Sequence, residues 1–317
     1  KPFPQAVPNK PVIDSANCRF FKTGKCKICE KLCPAGAIKF DDKDELITER
    51  FGAIVIATGF ELFDWSVYGE YGGGQYKDVI TSMQFERLVN ASGPTGGKIK
   101  RPSDQKTPNT VVFVKCVGSR DEQKGKKYCS RVCCMYTAKH ATQAREKLPD
   151  SGVYVFYMDV RTPGKMYDEF YTRTTGEYGA HYIRGRVSKI YQCGDKLIVR
   201  GEDTLVGKPV EIEADLVVLA TAMVPVKTAP ELAQKVGFSY DRDGFFTEAH
   251  PKLQPVDTNT AGIFLAGCCQ GPKDIPDTVA QACAAASKVG ALFSKDFLTT
   301  NPMIAEVNTE ICSGCLQ

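Results

Sequence analysis

The sequence predicts an α/β chain with doubly wound layers, and three observations predict it. Short apolar runs that read as buried strands alternate with helix-length segments along most of the 317 residues. Several of these runs end in glycine or small residues, as strands do where a chain turns tightly into a helix. Two apolar strands, Phe51–Gly59 and Asp215–Ala222, repeat one another in pattern on either side of a βαβ stretch. Such alternation favours a mostly parallel sheet covered by helices.

The elements follow in chain order. Residues 1–17 are Pro-rich and read as an extended arm. Residues 18–40 carry a cysteine run, and Phe51–Gly59 reads as a buried strand closed by a glycine turn. Residues 91–109, rich in Gly, Pro, Ser and Lys, form a loop. Thr110–Lys115 is a strand, a polar loop holds Cys116 and Cys129, and a helix runs from about Ser130 to Leu148. Val153–Met158 is the next strand, followed by a helix over 164–177 and a strand over 181–184. Residues 186–213 read as β-hairpins, Asp215–Ala222 and Gly262–Gly267 as buried strands, and Pro276–Phe293 as a helix.

The length corresponds to about two domains of roughly 150 residues each. Apolar residues make up 43% and charged residues 25%, which suffices for an ordinary core. Lys and Arg number 41 against 37 Asp and Glu, and a net charge of +4 spread along the chain does not point to nucleic acid. No stretch of 18 apolar residues spans a membrane, and no signal or Arg-rich transit segment is present, so the expectation is cytoplasmic. Fourteen cysteines in such a setting point to metal or redox work, or to burial as small apolar residues.

Spacing separates the cysteines. Cys26-x2-Cys29-x3-Cys33-Pro34 is the latter portion of a ferredoxin run, with Cys18 eight residues upstream of Cys26 where the usual spacing puts three. A lone C-x2-C also suits zinc, but the Cys-Pro-Ala-Gly-Ala-Ile ending favours iron–sulfur. In two-cluster ferredoxins the fourth cysteine ligates the other cluster, so Cys33 is expected to serve ligands upstream of residue 1. Cys312 and Cys315 form the opening of another such run. Both ends of the chain therefore read as cut from a longer protein. The second group is Cys116, Cys129, Cys133 and Cys134. It occupies the strand-to-helix turn where a dinucleotide-binding domain carries its glycine fingerprint, and those glycines are missing. A helix N-terminus stabilises the negative charge of such thiolates. Zinc and simple burial are the competing readings. Cys193 and Cys283 read as structural, while Cys268 and Cys269 follow a strand and serve a flavin site or pack.

Two strand endings are similar to those of thioredoxin-reductase-like flavoproteins: Ala57-Thr58-Gly59, and Thr260–Cys268 with Ala266-Gly267-Cys268 at its close. In that class the second motif ends Gly-Asp and the Asp binds the ribityl chain; here Cys268 stands in its place. Gln281-Ala282 lies where that class caps the pyrimidine edge of the flavin. The FAD-binding glycine fingerprint is expected upstream of residue 1.

Longer stretches carry a closer resemblance. Lys1–Lys10, Cys33–Ile38, Asn90–Gly97, Cys116–Asp121, Tyr128–Tyr136 and Gly267–Ile275 together resemble the A subunit of heterodisulfide reductase, its flavin- and iron–sulfur-bearing component. The Cys18–Cys26 spacing departs from that family. The resemblance implies a thioredoxin-reductase-like two-domain flavoprotein, its FAD domain split around a nucleotide-domain-like βαβ insert, with ferredoxin-like segments. The implied domains are a ferredoxin-like iron–sulfur segment (1–45), the first half of the FAD domain (46–108), a Rossmann-like domain bearing the Cys cluster (109–225), the second half of the FAD domain (226–296) and the truncated start of a ferredoxin-like domain (297–317).

It also implies FAD and 4Fe–4S clusters as cofactors, with Cys18, Cys26, Cys29, Cys33, Cys116, Cys129, Cys133, Cys134, Cys312 and Cys315 as cluster ligands. Ala57, Thr58, Gly59, Gly267, Cys268, Gln281 and Ala282 are the expected flavin contacts. The implied work is methanogenic electron transfer by flavin-based bifurcation between the coenzyme M–coenzyme B heterodisulfide and ferredoxin. The implied partners are the other reductase subunits in a large hetero-oligomer, ferredoxin, and a hydrogenase or formate dehydrogenase as donor. Lys139, five residues beyond Cys134 on the same helix, is expected at flavin N5. His140, His181 and His250 carry no expected role. The alternatives are a pyridine-nucleotide-dependent iron–sulfur flavoprotein of the glutamate-synthase small-subunit type, disfavoured by the missing glycines, and a zinc-stapled scaffold.

Overall fold

The computed structural model of the chain describes residues 11–43, 46–297, 306–308 and 310–313. In chain order the elements are α1 (Arg19–Thr23), α2 (Ile28–Leu32), β1 (Ile54–Ile56), β2 (Glu61–Leu62), β3 (Val79–Thr81), α3 (Ser82–Val89), β4 (Thr110–Val117), α4 (Cys133–Lys147) and β5 (Gly152–Tyr157). There follow α5 (Tyr167–Gly176), β6 (His181–Arg184), β7 (Val187–Cys193), β8 (Lys196–Asp203), β9 (Lys208–Ala214), β10 (Leu216–Thr221), β11 (Met223–Val224), α6 (Ala229–Val236), β12 (Ile263–Leu265) and α7 (Ile275–Phe293). They divide into two compact units. The first comprises the described residues up to Arg50 with Asp64–Gly125 and Cys133–Thr221; the second comprises Phe51–Phe63, Lys126–Val132 and the described residues from Ala222 onward.

The first unit is built on a five-stranded sheet in the order β3-β10-β4-β5-β6. Every pairing in it is parallel. All six residues of β10 are buried, and seven of eight in β4. A strand covered on both faces has no polar side to show, which is why Leu216-Val-Val-Leu-Ala-Thr221 reads as a continuous apolar run rather than an alternation. α4 and α5 pack on each other beside this sheet, and α3 packs on β3 and β10. Phe85 of α3, fully buried, meets Phe113 of β4 edge to face at 5.3 Å between ring centres. α3 starts with a capping box: Thr81 Oγ1 accepts from Gln84 N at 3.3 Å, and Gln84 Oε1 accepts from Thr81 N at 2.8 Å. Buried Asp215 pins one end of the sheet, accepting from Asn109 N (2.8 Å), Thr110 N (3.1 Å) and Lys196 Nζ (2.6 Å).

Between β6 and β10 the chain inserts an antiparallel sheet in the order β7-β8-β9. Gly185 opens it, and only glycine fits there, because a Cβ would stand 1.9 Å from the Glu202 carbonyl oxygen. The expected hairpins over 186–213 are this sheet.

In the second unit β1 and β12 pair in parallel, Ile56 opposite Leu265, and β2 pairs antiparallel with β11. Ile56, Ile263 and Leu265 pack with Ala229 and Ala233 of α6 and with Phe238 and Phe246. Ala285 of α7 packs on Phe264 and Ala266.

The expected strands and long helices appear with small shifts: the strand over 51–59 contracts to Ile54–Ile56, and the helix from Ser130 begins at Cys133. β3, α3 and α6 went unread. β3 joins the edge of the five-stranded sheet, so a boundary at residue 108 runs through that sheet. The expected arm over 1–10 and most of 297–317 lie outside the described residues.

Replacing Phe85 by Ala removes a fully buried ring and should lower the unfolding free energy by about 3–5 kcal/mol. The check is the urea midpoint at constant slope; a loss under about 1 kcal/mol would mean that the ring is not part of the core.

Candidate functional site

In the first unit, three thiols gather where β4 meets α4. β4 carries an irregularity on its way there. Leu219 of β10 pairs with Val114, but Thr221 pairs with Val117, so β4 spends one residue more than its partner. The extra residue is a bulge, which bends a strand and re-aims a side chain. Cys116 sits in it with φ of 60°, in the left-handed region that non-glycine residues avoid at a cost of about 1–2 kcal/mol. Gly118 (φ 82°) and Arg120 (φ 57°) keep the chain coiling, and Ser119 N returns to Cys116 O at 3.2 Å. Non-glycine residues held there concentrate at functional sites.

Cys133 and Cys134 open α4, buried against Ala220, Tyr136 and Val160. Cys133 is hydrogen-bonded to both Cys116 and Cys134, and these bonds together with burial push its thiol well above the ordinary range. Cys134 moves the other way. The Cys133 hydrogen bond, helped by the Lys115 ammonium and the Arg161 backbone, pulls its thiol down to about 5 despite burial. The Cys133 bond likewise lowers Cys116. Lys115, buried at the end of β4, donates to Asp159 O at 3.2 Å, and Cys134 Sγ lies 3.8 Å from the same oxygen. Asp159 in turn accepts from Arg120 Nη1 at 2.7 Å. One thiol thus keeps a proton while two are drawn towards thiolate by a buried cation, the donor chemistry that a metal cluster requires. No group of three or more metal-donor side chains stands in ligand geometry among the described residues.

Cys129 belongs to the second unit. Its Sγ accepts from Arg131 N at 3.3 Å, and Arg131 (φ 56°) pairs with Asp277 at 2.9 Å. Tyr128 Oη donates to Met223 O (2.8 Å) and Ser130 Oγ accepts from Met223 N (3.0 Å), which fixes this loop on β11.

In the same unit, parallel pairing brings Ala57-Thr58-Gly59 and Gly267-Cys268 to one edge, the carboxyl ends of β1 and β12. Open α/β sheets bind ligands at that edge. Gly59 (φ 74°) faces open space where a Cβ would stand, and Ala57 and Thr58 are exposed. Gly267 (φ 82°) donates its N–H to Gln281 Oε1 at 2.7 Å. Cys268 Sγ donates to Lys273 O at 3.6 Å, while buried Cys269 donates to Ile56 O at 3.2 Å and packs. Ala282 lies beside Gln281 on α7.

The first cysteine run is held by two single-turn helices. Cys18 precedes α1, Cys26 lies between the helices, Cys29 is in α2, and Cys33 closes it. Phe20, Phe21 and Phe40 pack ring against ring at 4.3–5.8 Å, with Lys27 Nζ 5.3 Å over Phe20. Cys312 is exposed, and Cys315 lies outside the described residues. Cys193 and Cys283, expected to be structural, are instead exposed: one closes β7 at its turn and the other points outward from α7.

Lys139 lies on α4 with its ammonium on Glu86, at 2.7 and 2.9 Å from the two carboxylate oxygens. Glu86 also meets buried His140 Nε2 at 2.6 Å. The His140 and Lys139 hydrogen bonds hold the Glu86 carboxyl down to about 2, against burial. Sequence reasoning passed over Glu86, His140, Lys115 and Lys273. Only Lys273 lay in a motif already singled out.

A doubly wound parallel sheet and a second α/β unit in one chain make the thioredoxin-reductase-like fold. Thioredoxin reductase from T. acidophilum has a solved structure that matches with a TM-score of 0.50, at 18% identity, over 77% of this chain and 66% of that one. No family model matches the sequence. Curated relatives are nearer. The A subunit of the H(2):CoB-CoM heterodisulfide,ferredoxin reductase of Methanothermobacter marburgensis is 48% identical over 315 residues, covering 99% of this chain and 47% of the relative. A second iron–sulfur A subunit, that of the CoB–CoM heterodisulfide reductase of Methanopyrus kandleri, is 50% identical over 317 residues, covering 99% and 48%. The chain belongs to the family of heterodisulfide reductase A subunits, and it spans about half the length of the curated relatives it matches.

In cluster-free protein, the ultraviolet thiolate absorbance should include a component with its midpoint at about 5, absent from Cys134→Ser. Because that thiol is depressed, the thiolate persists above the midpoint and is lost as pH falls through it. Titration solely in the ordinary thiol range would contradict the site's electrostatics.

Proposed function

We infer that the chain is an electron-carrying portion of a heterodisulfide reductase, in which Cys116, Cys129, Cys133 and Cys134 ligate a 4Fe–4S cluster. The observation that carries the reading is the group of three thiols at the β4 bulge, with one drawn down to about 5 beside buried Lys115. Cys18, Cys26, Cys29 and Cys33 would hold a second cluster, and Cys312 and Cys315 would open the ligand set of a third. Ala57, Thr58, Gly59, Gly267, Cys268, Gln281 and Ala282 would line the FAD site, whose open carboxyl edge and side-chain-free glycines fit a ring lying close to backbone. The clusters and flavin supply one- and two-electron chemistry when bound, which in the full subunit is bifurcation between the CoM–CoB heterodisulfide and ferredoxin.

The chain's own residues set the conditions for that chemistry. Lys115 and the first turn of α4 offset thiolate charge. The bulge fixes the Cys116 side chain, and the surrounding apolar residues exclude water from the thiols. Lys139 is the group assigned to flavin N5, with Glu86 holding its ammonium charged. The names of the relatives support ferredoxin and further reductase subunits as partners, in a large hetero-oligomer with a hydrogenase or formate dehydrogenase as donor, in the cytoplasm. Among the described residues, no helix is long and apolar enough to cross a membrane.

The test is a cofactor count on the intact subunit, with variants measured beside it. Iron, acid-labile sulfide and FAD should all be present, and Cys133→Ser should lose the iron of one cluster while keeping FAD. Lys139→Ala should shift the flavin potential with every cluster retained. Zinc without sulfide would defeat the cluster reading, and an unchanged potential would remove Lys139 from it.

A further inference from the structure

The turn after β12 holds a cation that none of the roles above uses. Lys273 is half-buried, and its ammonium donates to Gly267 O (2.8 Å), Gln270 Oε1 (3.2 Å) and Gly271 O (3.4 Å). All three acceptors are neutral. Among the described residues no carboxylate stands within ion-pair distance of it. Nearby Arg131 is spent on Asp277, and Glu248 on the side chain of Gln270 at 2.6 Å. The Gln270 amide is itself tied to Gln281, which takes the Gly267 N–H.

Such a knot is rigid, since each member is held by the next. It satisfies the ammonium's hydrogen bonds while leaving its charge uncompensated, and an uncompensated half-buried charge is expensive. Burial accordingly pushes the Lys273 ammonium below its ordinary range. The knot stands at the carboxyl edge of the β1–β12 pair, on the carbonyl of the glycine that closes β12. An anion arriving at this edge would find a preorganised counter-charge that costs no side-chain ordering.

We propose that Lys273 is the fixed positive charge for the anionic edge of the ring bound at the carboxyl ends of β1 and β12. The proposal rests on the flavin reading above. Oxidised flavin that takes up two electrons and one proton becomes a monoanion, with the charge spread over N1 and the C2 carbonyl. A neighbouring cation stabilises that form over the neutral oxidised ring, raising the potential. It also resists the uptake of a second proton at N1. The role differs from that of Lys139, which is assigned to the N5 side and is held by a carboxylate.

The test uses the intact, FAD-loaded subunit with Lys273→Gln, which keeps length and donors, Lys273→Met as a second neutral variant, and Lys273→Arg. At a fixed potential the neutral variants should show about tenfold less reduced flavin than the native protein, about 30 mV for a two-electron couple. Their reduced flavin should take up its second proton at higher pH, seen in the absorbance of the reduced state. Lys273→Arg should stay close to native in both. A folded, FAD-containing neutral variant with native potential and native protonation would overturn the proposal alone. A native subunit without FAD would overturn the flavin reading, and this inference with it.

Discussion

The one residue by which β4 outruns β10 is the constraint on which the thiol site depends. Without it, Cys116 would keep strand geometry and alternate with its neighbours, Lys115 and Val117 on one face and Cys116 on the other. With it, Cys116 adopts a φ of 60° and meets Cys133 at the opening of α4. The cost of that backbone is met by the sheet. β4 and β10 are buried along nearly their whole length and lock the register on both sides of the bulge. A core this regular leaves the strand little alternative but to place its irregularity at the carboxyl end, where chemistry in α/β folds is sited.

Electrostatics then divides the labour among three lysines. Lys115 is buried and faces thiols, which it draws towards the charged form. Lys139 is half-exposed and balanced by Glu86. Lys273 is half-buried and balanced by no carboxylate among the described residues. The environment, rather than the residue type, decides what each can do. A charge near deprotonated sulfur stabilises a ligand set, a paired charge keeps its proton near neutrality, and an unpaired one is poised for an anion. The Glu86–His140 contact adds a buried imidazole that burial holds below its ordinary pKa, so the carboxylate charge remains available to Lys139.

Much of this was legible in the sequence, and what was not has physical reasons. β4, β5, β10 and α4 were legible because fully buried strands and long helices leave continuous signals. β3 escaped because three residues carry no period, although Thr81 and Gln84 spelled a capping box that could have placed α3. The cysteines of the second group were legible by type and spacing. The bulge that joins them was not, because no glycine marks the left-handed position that Cys116 occupies. The surface positions of Cys193 and Cys283 were unreadable because an Ala-rich helix and a hairpin look alike whether packed or exposed. The Lys273 knot depends on Gln281, fourteen residues from Gly267, and pairings of that kind become visible only once the turn is folded.

The central claim is that the bulge and the α4 turn form an iron–sulfur ligand set. Anomalous diffraction from crystals of the intact subunit, collected on either side of the iron edge, tests it most directly. The account predicts an iron peak enclosed by Cys116, Cys133 and Cys134, with Cys129 completing the set. A zinc signal there, or three thiols with no anomalous scatterer between them in protein that holds its full iron elsewhere, would contradict it.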